Sequence, residues 1–166
     1  ADARSARAHA SQAGLVKGLA ADLLRAEKAV AWGDAAAIVA SNEALAASSD
    51  SQAKLKGLLG KLDGHQAGSV KGLSKADVLA LSKEANALAQ AEGSAAQVVQ
   101  AMNHAVAAHK KSDDFAGALA AALTQFETAT AAGIDTSSAL LAAANASVLL
   151  GNSAKAIEYA DAAKAL

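Results

Sequence analysis

The sequence predicts an all-α fold, and three observations predict it. Of 166 residues, 51 are alanine, the strongest intrinsic helix former, while proline, the strongest helix breaker, does not occur. Residues that favour strands are scarce: the aromatic set is Trp32, Phe115, Phe126 and Tyr159, which argues against a sandwich or barrel. Clusters of Gly, Asp, Ser and Asn recur at intervals that suit short helices. The expected architecture is about eight short alanine-rich helices in antiparallel hairpins, as a single compact domain or a short helical array. Residues 1–11 read as a flexible N-terminal arm and 12–166 as the all-α domain. Without alanine, 37 larger hydrophobes remain, 20 of them leucine, or about 22% of the chain. That supply is poor for a globular protein, so the core must rest on close helix approach.

The elements follow in order. Leu15, Val16, Leu19, Leu23 and Val30 share a face of a first helix over 12–32, which Gly33-Asp34 turns into a second ending near Ala47. Ser48-Ser49-Asp50-Ser51 offers N-cap chemistry to a short third helix over 52–62. Asp63 to Ser69 is the most loop-like segment, and Ser74 then caps a fourth helix over 75–92. Gly93-Ser94 starts the fifth, where Val98, Met102, Val106 and His109 form a stripe. Ser112-Asp113 is the expected cap of the sixth, with Phe115, Leu119, Leu123 and Phe126 as its seam. Gly133 to Thr136 opens the seventh and Gly151-Asn152-Ser153 the eighth. Residues 12–19 recur at 66–73 with seven of eight identical, which an old duplication or coincidence explains equally well.

Composition excludes several functions. Without cysteine there is no disulfide scaffold and no thiolate metal site. With 15 Lys+Arg against 16 Asp+Glu, the basic footprint of a nucleic-acid binder is missing. The first 83 residues carry 11 basic and 8 acidic groups and the rest 4 and 8, a dipole of +3 against −4 that could orient docking. The longest charge-free run, 136–154, is broken at Gly151-Asn152 and reads as a buried hairpin helix, not a transmembrane segment. A start at Ala1-Asp2 suits a mature chain that has lost a targeting peptide, and equally a trimmed sequence.

No phosphate loop, serine elbow or His-Glu-x-x-His stands in the chain, and its acids lie singly among lysines and alanines, so an enzyme is not expected. His9 falls in the arm. His104 and His109 lie roughly 140° apart around one helix, too far to share a ligand. His109 suits a helix-end residue near the negative end of the dipole. His65 is the candidate site residue: between two glycines at the mouth of two helices, it could hold a water or take the axial position of a tetrapyrrole. An ordinary solvated histidine explains it as well. Asn145-Ala146-Ser147 matches the glycosylation pattern but lies in a continuous helical stretch. Trp32 reads as a packing anchor at a helix end.

Two resemblances bear on function. Leu150-Gly151-Asn152 followed by Ala156, Ile157, Tyr159 and Ala163, with Ala144 before it, resembles a tetratricopeptide repeat, and implies a scaffold that binds another protein in a concave groove. A second resemblance covers roughly residues 14–90 and 150–166. Its landmarks are Lys28-Ala29-Val30-Ala31-Trp32, Ala37-Ile38, Ala46-Ala47 with Asp50, Leu55-Lys56, the run His65 to Val70, the run Gly72 to Asp77, and the run Gly151 to Glu158. In this order they resemble the soluble peridinin–chlorophyll a proteins, all-α antenna proteins of the dinoflagellate thylakoid lumen. That resemblance implies a chloroplast protein of photosynthesis and light harvesting, docked on a photosystem or antenna complex. Chlorophyll a would be held at His65 directly or through water, and the carotenoid peridinin between helices. The chain departs from that pattern where the proline-bearing loop after Trp32 is absent, where cavity aromatics are mostly alanine, and where one histidine replaces a pair. Either a divergent pigment binder or a structural subunit that kept the helical shell follows from it.

Overall fold

The computed structural model describes residues 35–166. The arm over 1–11, the first helix over 12–32, His9 and Trp32 lie outside the described residues. Seven helices and no strand occur among the described residues: α1 (Ala35–Ala46), α2 (Ser51–Gln66), α3 (Lys75–Glu92), α4 (Ala95–Lys111), α5 (Phe115–Ala132), α6 (Ser137–Leu149) and α7 (Ser153–Lys164). The fold is all-α, as the composition requires. The chain divides into two compact units between Leu73 and Ser74.

In the first unit α1 packs on α2. Asp50 caps α2 by accepting the Ala53 N–H at 2.8 Å. Glycine lets the two backbones meet. A Cβ at Gly57 would collide with the Ala46 nitrogen, lying also 2.6 Å from the Leu45 carbonyl carbon and 2.7 Å from the Asn42 oxygen. One turn on, Gly60 lies against the Asn42 side chain. Leu45, Leu55, Leu58, Leu59 and Leu62 are buried. The helix runs four residues past Leu62, where the sequence suggested a loop. Gly68, at φ +80°, stops it, and the Ser69 and Val70 N–H groups both turn back to the Gly64 carbonyl at 2.8 and 3.0 Å. Satisfying that carbonyl twice makes the last turn self-contained, so the glycines at 64 and 68 end a helix instead of opening a loop.

In the second unit each helix packs on the next, and α4 also touches α6, so that both lie against α5. Ser74 and Ser94 form full capping boxes with Asp77 and Gln97, which places the starts of α3 and α4 where the sequence put them. The expected cap of α5 is corrected. Ser112 closes α4, Asp113 turns through φ +58°, and Asp114 accepts the Gly117 N–H at 2.9 Å. Asn152 caps α7 through the Lys155 N–H at 3.2 Å.

The core is made of small side chains. The expected stripe on α4 is buried at Val98, Met102 and Val106. On α5 the expected seam of Phe115, Leu119, Leu123 and Phe126 is only half-buried, and the inward face is Ala118, Ala121, Ala122, Gln125 and Ala129. Ala85 and Ala89 are buried on α3, which packs on α4, and Ala139, Ala143 and Ala146 on α6, which packs on α5. A buried methyl contributes only about 0.8 kcal/mol, against about 2 kcal/mol for a leucine side chain. The compensation is proximity: alanine faces bring helix backbones close enough for continuous van der Waals contact. The large residues then flank the contact and shield it from water.

Candidate functional site

His65 belongs to the last turn of α2, not to a loop. Its side chain is half-buried, and Nδ1 is enclosed without a hydrogen-bond partner. A buried ring nitrogen without a partner is uncommon, because leaving it unmade costs about 1–3 kcal/mol. Imidazole nitrogen is a suitable donor type for a tetrapyrrole metal, but this enclosed atom offers no open approach to one. No aromatic side chain lies among the neighbouring residues 60–73 to pack against a macrocycle.

The most organised polar feature lies in the second unit, on elements the sequence singled out for other residues. Gln125, in the middle of the alanine face of α5, is 1% exposed. Its Nε2 donates to Asn103 Oδ1 on α4 at 2.9 Å and makes a longer contact of 3.5 Å with Ser138 Oγ on α6. One buried amide thus joins three consecutive helices, at the seam where α4 and α6 lie side by side on α5. Gln125 Oε1 is buried without a partner. Asn103 and Ser138 are both exposed, so the bridge runs from the interior to the surface. Ser138 Oγ accepts from the same nitrogen at the longer distance. Sequence reading missed this trio. The signal was present, since Gln125 is the one polar residue at the spacing of Ala118, Ala121, Ala122 and Ala129.

The outer face of α6 continues from Ser138 through Leu141, Asn145 and Val148, all exposed and spaced for one side of a helix. Asn145 stands in mid-helix and Ser147 two residues on is 1% exposed, so the three-residue glycosylation pattern lies inside folded structure. Leu149, Leu150 and Ile157 expose a further apolar edge on the α6–α7 hairpin. That hairpin turns at Gly151 with φ +75°, and Ala144 and Ala156 are buried on its two helices.

At the α4–α5 corner His109 Nδ1 meets Asp114 Oδ2 at 2.8 Å. The Gly117 N–H holds the Asp114 carboxyl below its ordinary range; desolvation opposes it, and the bond and charge of His109 and the charge of Lys83 add to the lowering. The Ser74 hydroxyl and N–H do the same for Asp77, and the Ser137 N–H and hydroxyl for Asp135. Asp114 and Asp77 belong to helix caps, and Asp135 precedes the N-cap Thr136 of α6, so all three have structural partners. His104 is buried on α4, away from His109, and the two are not brought together. Among the described residues no three His, Asp or Glu groups gather to hold a metal ion, and no helix is long and apolar enough to cross a membrane.

Comparison with protein families, curated proteins and solved structures returns no match to this chain.

Proposed function

We propose that the chain is a non-enzymatic helical-repeat scaffold that binds another protein through its second unit. The observation that carries this reading is the order of packing from α3 to α7: neighbours in sequence are neighbours in space, and α4 and α6 line up on one side of α5. Arrays of this kind bury their core between adjacent helices and leave an extended face of alternate helices to a partner. Here that face carries Asn103, Ser138, Leu141, Asn145 and Val148, a mixture of amide donors and apolar side chains typical of recognition surfaces. The test places a photo-crosslinking residue at Leu141 of the full chain in its native cells. A discrete protein adduct supports the scaffold, and the absence of any adduct from Leu141, Asn145 and Val148 alike removes it.

A second reading rests on the resemblance carried by the run His65 to Val70. On that reading the protein is a light-harvesting or photosystem-associated protein of the thylakoid lumen, with chlorophyll a and peridinin as pigments and an antenna complex as partner. When bound, the pigment would supply absorption and excitation transfer, and His65 would orient it. An absorption spectrum of native protein decides between the two: bands in the visible support pigment, and a colourless preparation excludes it.

A further inference from the structure

We infer that His109 Nε2 is a nucleophile that accepts a phosphoryl group from an activated phosphate, an acyl phosphate or a phosphoramidate. The inference is independent of the scaffold reading. Its basis is the α4–α5 corner, which commits one nitrogen of the His109 ring and leaves the other open. Asp114 Oδ1 accepts the Gly117 N–H at 2.9 Å, and Oδ2 lies 2.8 Å from His109 Nδ1. An ionised carboxylate only accepts, so the neutral ring carries its hydrogen on Nδ1 and its lone pair on Nε2. Nε2 has no hydrogen-bond partner among the described residues, and unlike Nδ1 of His65 it is not enclosed. The side chain is 21% exposed, whereas His104 on the same helix is buried.

The corner holds this arrangement at some cost to its backbone. Residue 117 must be glycine for the pair to meet, because a Cβ there would lie against both partners. Asp113 turns through φ +58°, the one non-glycine residue among those described with a positive φ, and so brings Asp114 back under the ring. In the transfer, the Nε2 lone pair forms a bond to phosphorus. The bond from phosphorus to the donor's carboxylate oxygen or amine nitrogen breaks, and its electron pair leaves with the donor. No proton has to leave Nε2, and the positive charge gained by the ring is offset by Asp114 through the retained Nδ1–H. Charge suits an anionic reagent. Lys83 on α3 acts on Asp114, and Lys110 and Lys111 follow His109 in the last turn of α4. The opposing acid of the turn, Asp113, is exposed and screened by water. A bare metal ion would need more ligands than this corner gathers.

The experiment treats the full chain with potassium phosphoramidate and, separately, with acetyl phosphate. The phosphorylated histidine is mapped by mass spectrometry under alkaline conditions, with N-acetylhistidine as the reference. His109 should be labelled about tenfold faster than the reference and ahead of His9, His65 and His104. Asp114→Asn is the decisive variant. Its side-chain oxygen keeps the Gly117 bond, so its NH2 group faces His109 Nδ1 and donates to it, which moves the ring hydrogen to Nε2. Labelling of His109 should then fall at least about tenfold, with melting curves showing that the variant folds and ring-nitrogen resonances showing the reversed tautomer. A pair that only caps helices would show no such loss. Labelling by either donor with this dependence supports the inference. Equal labelling of parent and Asp114→Asn, preference for another histidine, a rate no faster than the reference, a parent ring with its hydrogen on Nε2, or no labelling by either donor overturns it.

Discussion

His109 Nδ1 and Asp114 Oδ2 lie 2.8 Å apart across the turn between α4 and α5, in a space that exists because residue 117 is glycine. A Cβ there would lie against both atoms. The corner therefore combines a helix C-terminus, a helix N-cap and a hydrogen-bonded histidine–aspartate pair in six residues.

Acid should loosen this corner together with the starts of α3 and α6. Asp77, Asp114 and Asp135 all have carboxyl groups held below their ordinary values in the folded chain, through hydrogen bonds at helix starts. A depressed folded value means stabilisation that is complete above the unfolded carboxylate range and lost as pH falls through the folded values. Replacing Asp114 by Asn keeps a cap but removes its titration. Melting temperatures of Asp114→Asn should then fall less steeply with acid than those of the parent. Parallel curves would contradict the assignment.

Gly57→Ala should destabilise the first unit by about 1–3 kcal/mol, because the added methyl meets backbone atoms of α1 that cannot rotate aside. Gly60→Ala meets only the Asn42 side chain, which can turn away, and should cost less. Urea denaturation of the two variants checks the order, and equal losses would mean that α1 simply shifts.

Gln125→Met should leave stability unchanged or raise it by about 1 kcal/mol, since it removes an orphaned buried oxygen while keeping volume. Asn103 and Ser138 are exposed and find water instead. A loss above about 2 kcal/mol in chemical denaturation would show that the bridge holds the three helices together.

On α7 two neighbours should behave oppositely. Ala156 is buried against α6, so Ala156→Leu overpacks the hairpin and should cost about 1–3 kcal/mol. Ile157 is 62% exposed, and Ile157→Lys should change stability by less than about 0.5 kcal/mol. Thermal melts of the two variants test the hairpin's facing directly.

Much of the fold was legible because helix starts are local chemistry. Ser74 and Ser94 announce α3 and α4 by offering a hydroxyl three residues before an acceptor side chain, and the structure uses both pairs. The α5 start was misplaced because Ser112, Asp113 and Asp114 are consecutive candidates, and only the left-handed turn at Asp113 decides among them. The inward face of α5 was hidden for a different reason. Phe115 and Leu119 dominate any reading weighted by size, while close packing selects the smallest side chains for the crossing. His65 was singled out by its glycines, which turn out to end a helix. The trio at Gln125 depends on which helices lie side by side, and no single helix's pattern contains that.

The sequential packing of α3 to α7 has a mechanical consequence. Joined mainly to its chain neighbours, each helix can be withdrawn from the C-terminal end without first breaking the contacts of those further back. Pulled between its ends, the second unit should lengthen in small steps at low force, as a compliant spring does. The α4–α6 seam crosses three helices at once, and its amide bridge would be the first point along that path where extension must wait for two contacts to give together.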